Sequence, residues 1–125
     1  HARAPDGAAP NYETLANGTS YIYSICVTYT APIINVLTSL IDLVAATALV
    51  QNTTRINAID VSTNTGGTTT GGGTFGNWPL YIGSRSGPSI SFNGRIYSLI
   101  VRGALSTTQE ITDTETWVNG KTGAY

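Results

Sequence analysis

The chain has 125 residues, of which six are basic and seven acidic, and its formal net charge at pH 7 is -1. This length fits a single domain, here taken as residues 1–125. Charged residues make up only 10% of the chain, well under the usual quarter, and Thr, Ser, Asn and Gly take their place. Because the charges are scattered singly, the sequence offers no basic surface for nucleic acid or anionic lipid. We therefore expect neither a nucleic-acid nor a membrane partner.

The first clear element is a strand over residues 20–30, SYIYSICVTYT. It follows a lead-in, HARAPDGAAPN, that has two prolines, a glycine and no periodicity, and that we expect to be irregular. The strand is rich in β-branched and aromatic residues, and Pro32 ends it. Cys26 lies within it and is the only cysteine, so an intrachain disulfide is excluded.

Residues 31–50, APIINVLTSLIDLVAATALV, form the most apolar stretch. Pro32, Asn35 and Asp42 interrupt it, whereas a membrane span needs about 20 predominantly apolar residues. The abundance of Val, Ile and Thr favours one or two buried strands. The segment LIDLVAATALV also fits a helical period, so both interpretations stay open.

Alternating residues in RINAIDVST, 55–63, predict another strand, and the Gly/Thr-rich residues 64–77 predict a surface loop. A phosphate-binding loop would need a following Lys-Ser/Thr pair and a helix. Here WPLYIGS follows, which has the pattern of a strand.

Three further strands are predicted, over residues 80–84, 89–92 and 95–102. Asn93-Gly94 lies between the last two, with apolar residues on both sides. This dipeptide supplies the positive φ angles of a tight type I′ turn. It is the strongest local signal in the sequence and predicts a β-hairpin.

The period changes after residue 106, and a helix is predicted over residues 107–118. Either Ser106 with Gln109 or Thr107 with Glu110 forms a capping box at its start. The positions that share one helical face are Ile111, Glu115 and Val118. Asn119-Gly120 has the composition of a left-handed cap and predicts the end of the helix.

The segment NWPLYIGSRSG…FNGRIYSLIVRGALSTTQEITDTETWVNGKTGAY, with YTAPIINVLT upstream, resembles the C-terminal part of the concanavalin A-like (laminin G-like) jelly-roll domain of phage and prophage virion proteins. In that family a YIG strand precedes a turn, an F-x-G-x-I strand and an ALS-like turn into a short terminal helix. The resemblance covers residues 78–125 most fully and is weaker before them. The matching residues are Tyr81, Ile82, Gly83, Phe92, Gly94, Ile96, Ala104, Leu105, Ser106, Glu115 and Trp117.

The resemblance implies an all-β fold, an antiparallel jelly-roll sandwich with a short C-terminal helix packed outside it and Trp117 as the anchor of that helix. A complete domain of this type takes roughly 150 to 200 residues. We therefore expect the first strands to be missing or compressed, which would make the chain the C-terminal part of a longer domain. The sequence also departs from the family where LVQNTTRI replaces the usual V-N-G hairpin.

No constellation of catalytic residues is evident. A glycan hydrolase needs paired carboxylates facing one cleft, and no predicted strand carries them. Asp113 and Glu115 lie two apart on the helix and so point to different faces, where we expect them to be solvated or to favour the helix dipole as charges of its N-terminal turn. His1 is the only histidine, which excludes a Ser-His-Asp triad at any interior position and leaves zinc without ligands. We expect a protein that is not an enzyme and has no cofactor.

Because laminin G-like relatives often bind calcium, the resemblance raises the question of a calcium site. Asp42 and Asp60 are the candidates, but each is isolated in an apolar or Thr-rich run. Such residues are typical of turns and strand edges, so no metal site is assigned.

A carbohydrate site needs an aromatic face and a few hydrogen-bonding side chains. Trp78 and Tyr81 supply the aromatic rings next to the Gly/Thr loop, with Asn77, Arg85 and Asn93 nearby in sequence. The alternative is that Trp78 covers the edge of the core and Tyr81 packs inside it.

The arginines at positions 85, 95 and 102 are spaced along the predicted sheet. We expect them to pair with neighbouring side chains, or with Glu110 and Asp113, rather than to contact a ligand.

Together these observations favour a non-enzymatic domain on the surface of a phage virion, extracellular, on a tail fibre, tail spike or capsid. There it would bind host glycans or decorate the particle. The alternative is a purely structural role in which the apolar APIINVLTSLI is buried against other virion subunits. A depolymerase is the least favoured reading. By analogy with fibres and spikes, we expect a homo-oligomer.

Overall fold

The computed structural model describes residues 2–3, 11–19, 21–28, 33–62, 72–77 and 94–125. These residues form two antiparallel three-stranded sheets, and a long helix follows near the C-terminus. The first sheet consists of β1 (Ala2–Arg3), β2 (Asn11–Asn17) and β3 (Tyr21–Thr28). The second consists of β4 (Leu37–Ile41), β5 (Asn52–Ile56) and β6 (Ile59–Asp60), and the helices are α1 (Ala48–Gln51) and α2 (Thr108–Thr122). The prediction of a β-rich chain with a C-terminal helix is confirmed.

The first sheet contains one strand that the sequence predicted and two that it did not. The strand predicted over residues 20–30 is β3. The prediction that residues 1–11 are irregular was wrong in part. Strand β1 lies within these residues, and Asn11, the last of them, begins β2. Strand β2 pairs with β3 from Asn11↔Thr28 to Asn17↔Tyr21. Its sequence NYETLAN has little strand character of its own, so the hydrogen-bonded pairing with β3 accounts for its conformation.

Of the apolar residues 31–50, Leu37–Ile41 form strand β4, as the strand interpretation expected. The helix α1 begins only at Ala48, after a turn that follows Asp42, so most of LIDLVAATALV is not helical. The Asp42 carboxylate accepts a hydrogen bond from the Val44 N–H at 3.1 Å. The buried amide of Gln51 donates to the carbonyls of Leu43 at 3.0 Å and Ala45 at 2.7 Å. Gln51 thereby holds the loop closed.

The single strand predicted over residues 55–63 was wrong, because a hairpin turn divides it. Ile56 pairs with Ile59, which leaves Asn57 and Ala58 as a two-residue loop. Their φ angles are 52° and 65°, as a type I′ turn requires. Asn57 tolerates this conformation, and its Oδ1 accepts from the Val36 N–H at 2.9 Å. Ala58 carries no turn signal, which is why the sequence pattern missed the hairpin.

The two sheets meet through alternating residues of β2, β3 and β5. Thr14 and Ala16 share a face of β2, and Ala16 pairs with Ile22 of β3. Among the described residues, Ala16, Ile22 and Leu43 form a buried apolar cluster, and Ile41 packs against them. Beside this cluster lies a buried polar contact between Thr14 of the first sheet and two residues of β5.

This polar contact is complete in its hydrogen bonds. The Thr14 hydroxyl donates to Asn52 Oδ1 at 3.0 Å, and Asn52 Nδ2 donates to the Thr14 carbonyl at 2.9 Å. The Thr54 hydroxyl lies 2.5 Å from that of Thr14. Because Thr14 has a single hydroxyl proton, Thr54 is the donor in this last bond. Among the described residues, every buried side-chain polar atom has a partner.

The prediction of a strand over residues 95–102 was wrong, since these residues form no strand. Their large side chains, Ile96, Tyr97, Leu99, Ile100 and Val101, are exposed. Local strand propensity is high here, but propensity alone does not provide a paired neighbour. The predicted strands 80–84 and 89–92 and Asn93 of the predicted turn lie outside the described residues.

Helix α2 begins as predicted and ends later. The capping box is the Thr107–Glu110 pair, with the Glu110 N–H donating to Thr107 Oγ1 and the Thr107 N–H to the Glu110 carboxylate. The predicted stop at Asn119-Gly120 was wrong, because α2 continues to Thr122. Gly123 takes the left-handed cap instead, with φ 61°, and its N–H donates to the Asn119 carbonyl at 2.7 Å.

Candidate functional site

Helix α2 is fixed to the outer face of the second sheet, opposite the first sheet. Thr38 of β4, Arg55 of β5 and Asp60 of β6 are direct cross-strand neighbours. They lie on the face away from Asn52 and Thr54, because side chains alternate along a strand. Glu115 of α2 contacts this row and is 2% exposed.

The contact is a side-on ion pair. Arg55 Nε donates to Glu115 Oε1 at 2.9 Å and Arg55 Nη2 donates to Glu115 Oε2 at 3.0 Å. The same Nη2 donates to the Ala58 carbonyl at 2.6 Å, so the guanidinium also holds the hairpin turn. Burial acts to raise the pKa of Glu115, but hydrogen bonds from Arg55 and Thr38 and the charge of Arg55 outweigh it and lower the pKa. The hydrogen bond to Glu115 raises the pKa of Arg55 despite its partial burial.

This contact corrects two expectations about the helix. Glu115 was expected to be solvated and is buried, because Arg55 comes from a strand 60 residues earlier in the sequence. Trp117 was expected to anchor the helix and is instead 55% exposed. Asp113 is exposed, as expected. The expected pairing of Arg102 with Glu110 is confirmed, at 2.8 Å between Nη1 and Oε1.

Docking of the helix leaves an open groove beside it. The groove has a volume of about 430 Å³. Its walls come from the loop before β4, the segment before helix α2, and the C-terminal half of α2. The lining residues are Ile34, Tyr97, Ser98, Trp117, Lys121 and Thr122.

Two aromatic rings and one cation give the groove its character. Tyr97 and Trp117 are 62% and 55% exposed. Lys121 Nζ lies 5.9 Å from the centre of the Trp117 ring, one helical turn along. The Thr122 hydroxyl donates to the Val118 carbonyl at 3.0 Å, so its oxygen keeps the capacity to accept. The site combines flat apolar faces with hydroxyls and one positive charge.

The carboxylates of Asp42 and Asp60, the calcium candidates, belong to structural contacts. Asp42 accepts from the backbone of its own turn, and Asp60 accepts from the Ser62 N–H at 2.9 Å. Hydrogen bonds from Ser62 lower the pKa of Asp60. Both therefore act as turn or edge residues, as the sequence indicated. Within the described ranges no three His, Cys, Asp or Glu side chains gather into a set that could hold a metal ion.

Of the carbohydrate-binding residues predicted from the sequence, Asn77 is described and is exposed. Trp78, Tyr81, Arg85 and Asn93 lie outside the described residues.

The groove residues were not predicted as a site. Trp117 was assigned to packing and Tyr97 to a strand. The signal that was available is the i, i+4 spacing of Trp117 and Lys121, which places both side chains on one face of the helix. That spacing cannot show that Ile34 and Tyr97 form the opposite wall.

Comparison with known proteins gave no relative: no family model matches the chain, and no curated protein or solved structure matches it. Among the helices of the described segments, none is both long enough and apolar enough to cross a membrane.

Proposed function

We propose that the chain is a non-enzymatic glycan-binding domain, displayed on the surface of a phage virion. The observation that carries the proposal is the open groove in which Tyr97 and Trp117 stand exposed beside hydroxyl groups and Lys121. Aromatic rings offer a large, rigid face with little conformational entropy to lose on binding. Pyranose rings have apolar faces that lie against such rings and hydroxyls that need polar partners, and the groove supplies both.

A buried ion pair holds the helix that bears Trp117 in place. A ring on a fixed helix suits ligand binding better than a ring on a mobile surface segment. Glu115 and Arg55 fix α2 to the sheet two residues before Trp117. A binding residue on a rigid element loses less freedom when a ligand arrives. The groove is thus prepared for a ligand before binding.

The virion context rests on the resemblance of residues 78–125 to laminin G-like virion domains. In that interpretation the two described sheets belong to a concanavalin A-like jelly-roll sandwich with the helix outside. Low charge and abundant Thr, Asn and Gly suit an extracellular attachment domain. A depolymerase is less favoured, because Glu115 is paired with Arg55 and Glu110 with Arg102, so neither faces an open cleft with a second carboxylate.

A second candidate function is assembly with other virion subunits or with copies of the same chain. It is favoured by the run of exposed apolar residues Ile96, Tyr97, Leu99, Ile100 and Val101. Contiguous exposed apolar surface is typical of protein interfaces. In this reading the segment is covered in the assembled particle.

A glycan array probed with the full chain tests the proposal, with light scattering on the same sample. Saturable binding to one glycan class that is lost in Trp117→Ala supports the groove, and loss in Trp78→Ala instead supports the site predicted from the sequence. A stable oligomer that binds no glycan supports the assembly function and contradicts glycan binding.

A further inference from the structure

We propose that the groove selects saccharides whose pyranose ring carries a carboxylate, with Lys121 as the residue that contacts the carboxylate. This inference rests on the proposed glycan-binding function and names the ligand class of the same groove. It is argued from the position of Lys121, from the charges around it and from the hydroxyls beside it.

Lys121 is placed at the groove and has no acidic partner among the described residues. Its ammonium lies 5.9 Å from the centre of the Trp117 ring, near the outer limit of a cation–π contact. Such a contact at an exposed position is weak, whereas a hydrogen bond between an ammonium and a carboxylate is charge-assisted and stronger. A ligand carboxylate therefore draws the ammonium away from the ring and leaves the ring face open for the sugar.

The carboxylates of α2 do not cancel this charge. Glu115 is neutralised by Arg55 on the sheet side of the helix. Glu110 is paired with Arg102 at the opposite end of the helix. Asp113 accepts from Gln109 at 2.8 Å, two turns before Lys121. Lys121 thus makes the groove locally positive on a chain whose net charge is -1.

The remaining polar groups suit a sugar better than a nucleic-acid strand. Ser98 and Thr122 bring hydroxyls to the groove beside Tyr97 and Trp117. Binding of single-stranded nucleic acid also uses aromatic stacking, but it needs a groove in which several cations follow the backbone. Among the described residues that line the groove, Lys121 is the one cation.

The test is titration calorimetry of the full chain with two matched pairs of saccharides. One pair is trigalacturonic acid and its methyl ester, and the other is 3′-sialyllactose and lactose. We expect an acid to bind at least ten times more tightly than its neutral partner, and we expect higher salt to remove the difference. Comparison of the two pairs shows whether the groove binds uronic acids, sialic acids or both.

Two variants locate the effect. Lys121→Met should lower affinity for the acid to that of the neutral partner and leave the neutral partner unchanged. Trp117→Ala should abolish binding of both the acid and the neutral saccharide. Arg102→Met removes one positive charge at the other end of the helix and serves as the matched control, for which the acid preference should persist. Far-ultraviolet circular dichroism checks that each variant is folded.

The outcomes separate this inference from the proposed function. Equal affinity for acid and neutral sugars, or an acid preference that survives Lys121→Met, overturns the inference while glycan binding stands. Binding that is lost only in Trp78→Ala overturns it too, because the site then lies elsewhere. Absence of any saccharide binding, or preferential binding of a poly-dT strand, overturns both.

Discussion

Replacement of Glu115 by Gln tests whether the buried ion pair fixes helix α2 to the sheet. The variant keeps the size of the side chain but removes the charge and turns one acceptor into a donor that faces the guanidinium. Arg55 then loses one of its two bonds to the helix and its hydrogen-bonded counter-charge, and of the carboxylates on the sheet the charge of Asp60 still acts on it. We expect the folded state to lose stability and the helix to loosen.

The size of the expected loss of stability follows from how deeply Glu115 and Arg55 are buried. Removal of one partner from a fully buried pair typically destabilises by about 3 to 5 kcal/mol. Glu115 is 2% exposed but the Arg55 side chain is 22% exposed, so water can reach the guanidinium that is left. One bond to a charged group contributes about 1.5 to 3 kcal/mol. We therefore expect the free energy of unfolding to fall by about 2 to 3 kcal/mol.

The pH dependence gives an independent check. The pKa of Glu115 in the folded state is lowered from its usual 4.5. A lowered pKa stabilises the fold above the unfolded value, and this stabilisation is lost as the pH falls through the folded value. The difference in stability between the native chain and Glu115→Gln should therefore shrink below about pH 4.5. The contacts of Glu110 with Thr107 and Arg102, and the hydrogen bonds from Ser62 that lower the pKa of Asp60, are the same in both proteins, so their contributions cancel.

Urea unfolding followed by tryptophan fluorescence and circular dichroism, from neutral pH to about pH 3, measures both effects. Asp113→Asn is the matched control, since it removes an exposed carboxylate from the same helix and should change stability by less than about 0.5 kcal/mol. If Glu115→Gln is as stable as the native chain at neutral pH, or if the difference does not change with pH, the ion pair does not stabilise the docked helix.

Three further changes test other parts of the fold by urea unfolding. Thr14→Val removes the hydroxyl that joins Asn52 and Thr54, and the free energy of unfolding should fall by about 1 to 3 kcal/mol. An unchanged urea midpoint would contradict the buried contact. Ala58→Gly relieves a left-handed φ of 65° and should stabilise by about 0.5 to 1 kcal/mol, whereas destabilisation would argue against the type I′ turn. Thr107→Ala should cost about 1 kcal/mol and lower helicity, and unchanged helicity would exclude the cap.

Sequence patterns predicted the start of the helix because its signal is local. Thr107 and Glu110 are three residues apart and satisfy each other's backbone. The end of the helix was predicted wrongly at Asn119-Gly120, because both Gly120 and Gly123 suit a left-handed cap and the structure uses Gly123. Gly120 lies inside the helix, where glycine costs about 1 kcal/mol relative to alanine but does not prevent helix formation.

Features that depend on distant residues were not predictable. Nothing near Glu115 in sequence indicates that Arg55 covers it. Residues 95–102 have strand propensity, but a strand also needs a partner in hydrogen-bonding position. The groove likewise joins Ile34 to Tyr97 and Trp117, which lie more than 60 residues further along the chain.

The contact of Thr14 with Asn52 and Thr54 also selects one arrangement of the two sheets over its competitors. If β5 slipped by one residue, Thr53 and Arg55 would turn inward and the polar partners would separate. A slipped or strand-exchanged form would leave these buried hydroxyl and amide groups unpaired. Hydrogen-bond complementarity at this contact therefore favours the native pairing of the two sheets over its competitors.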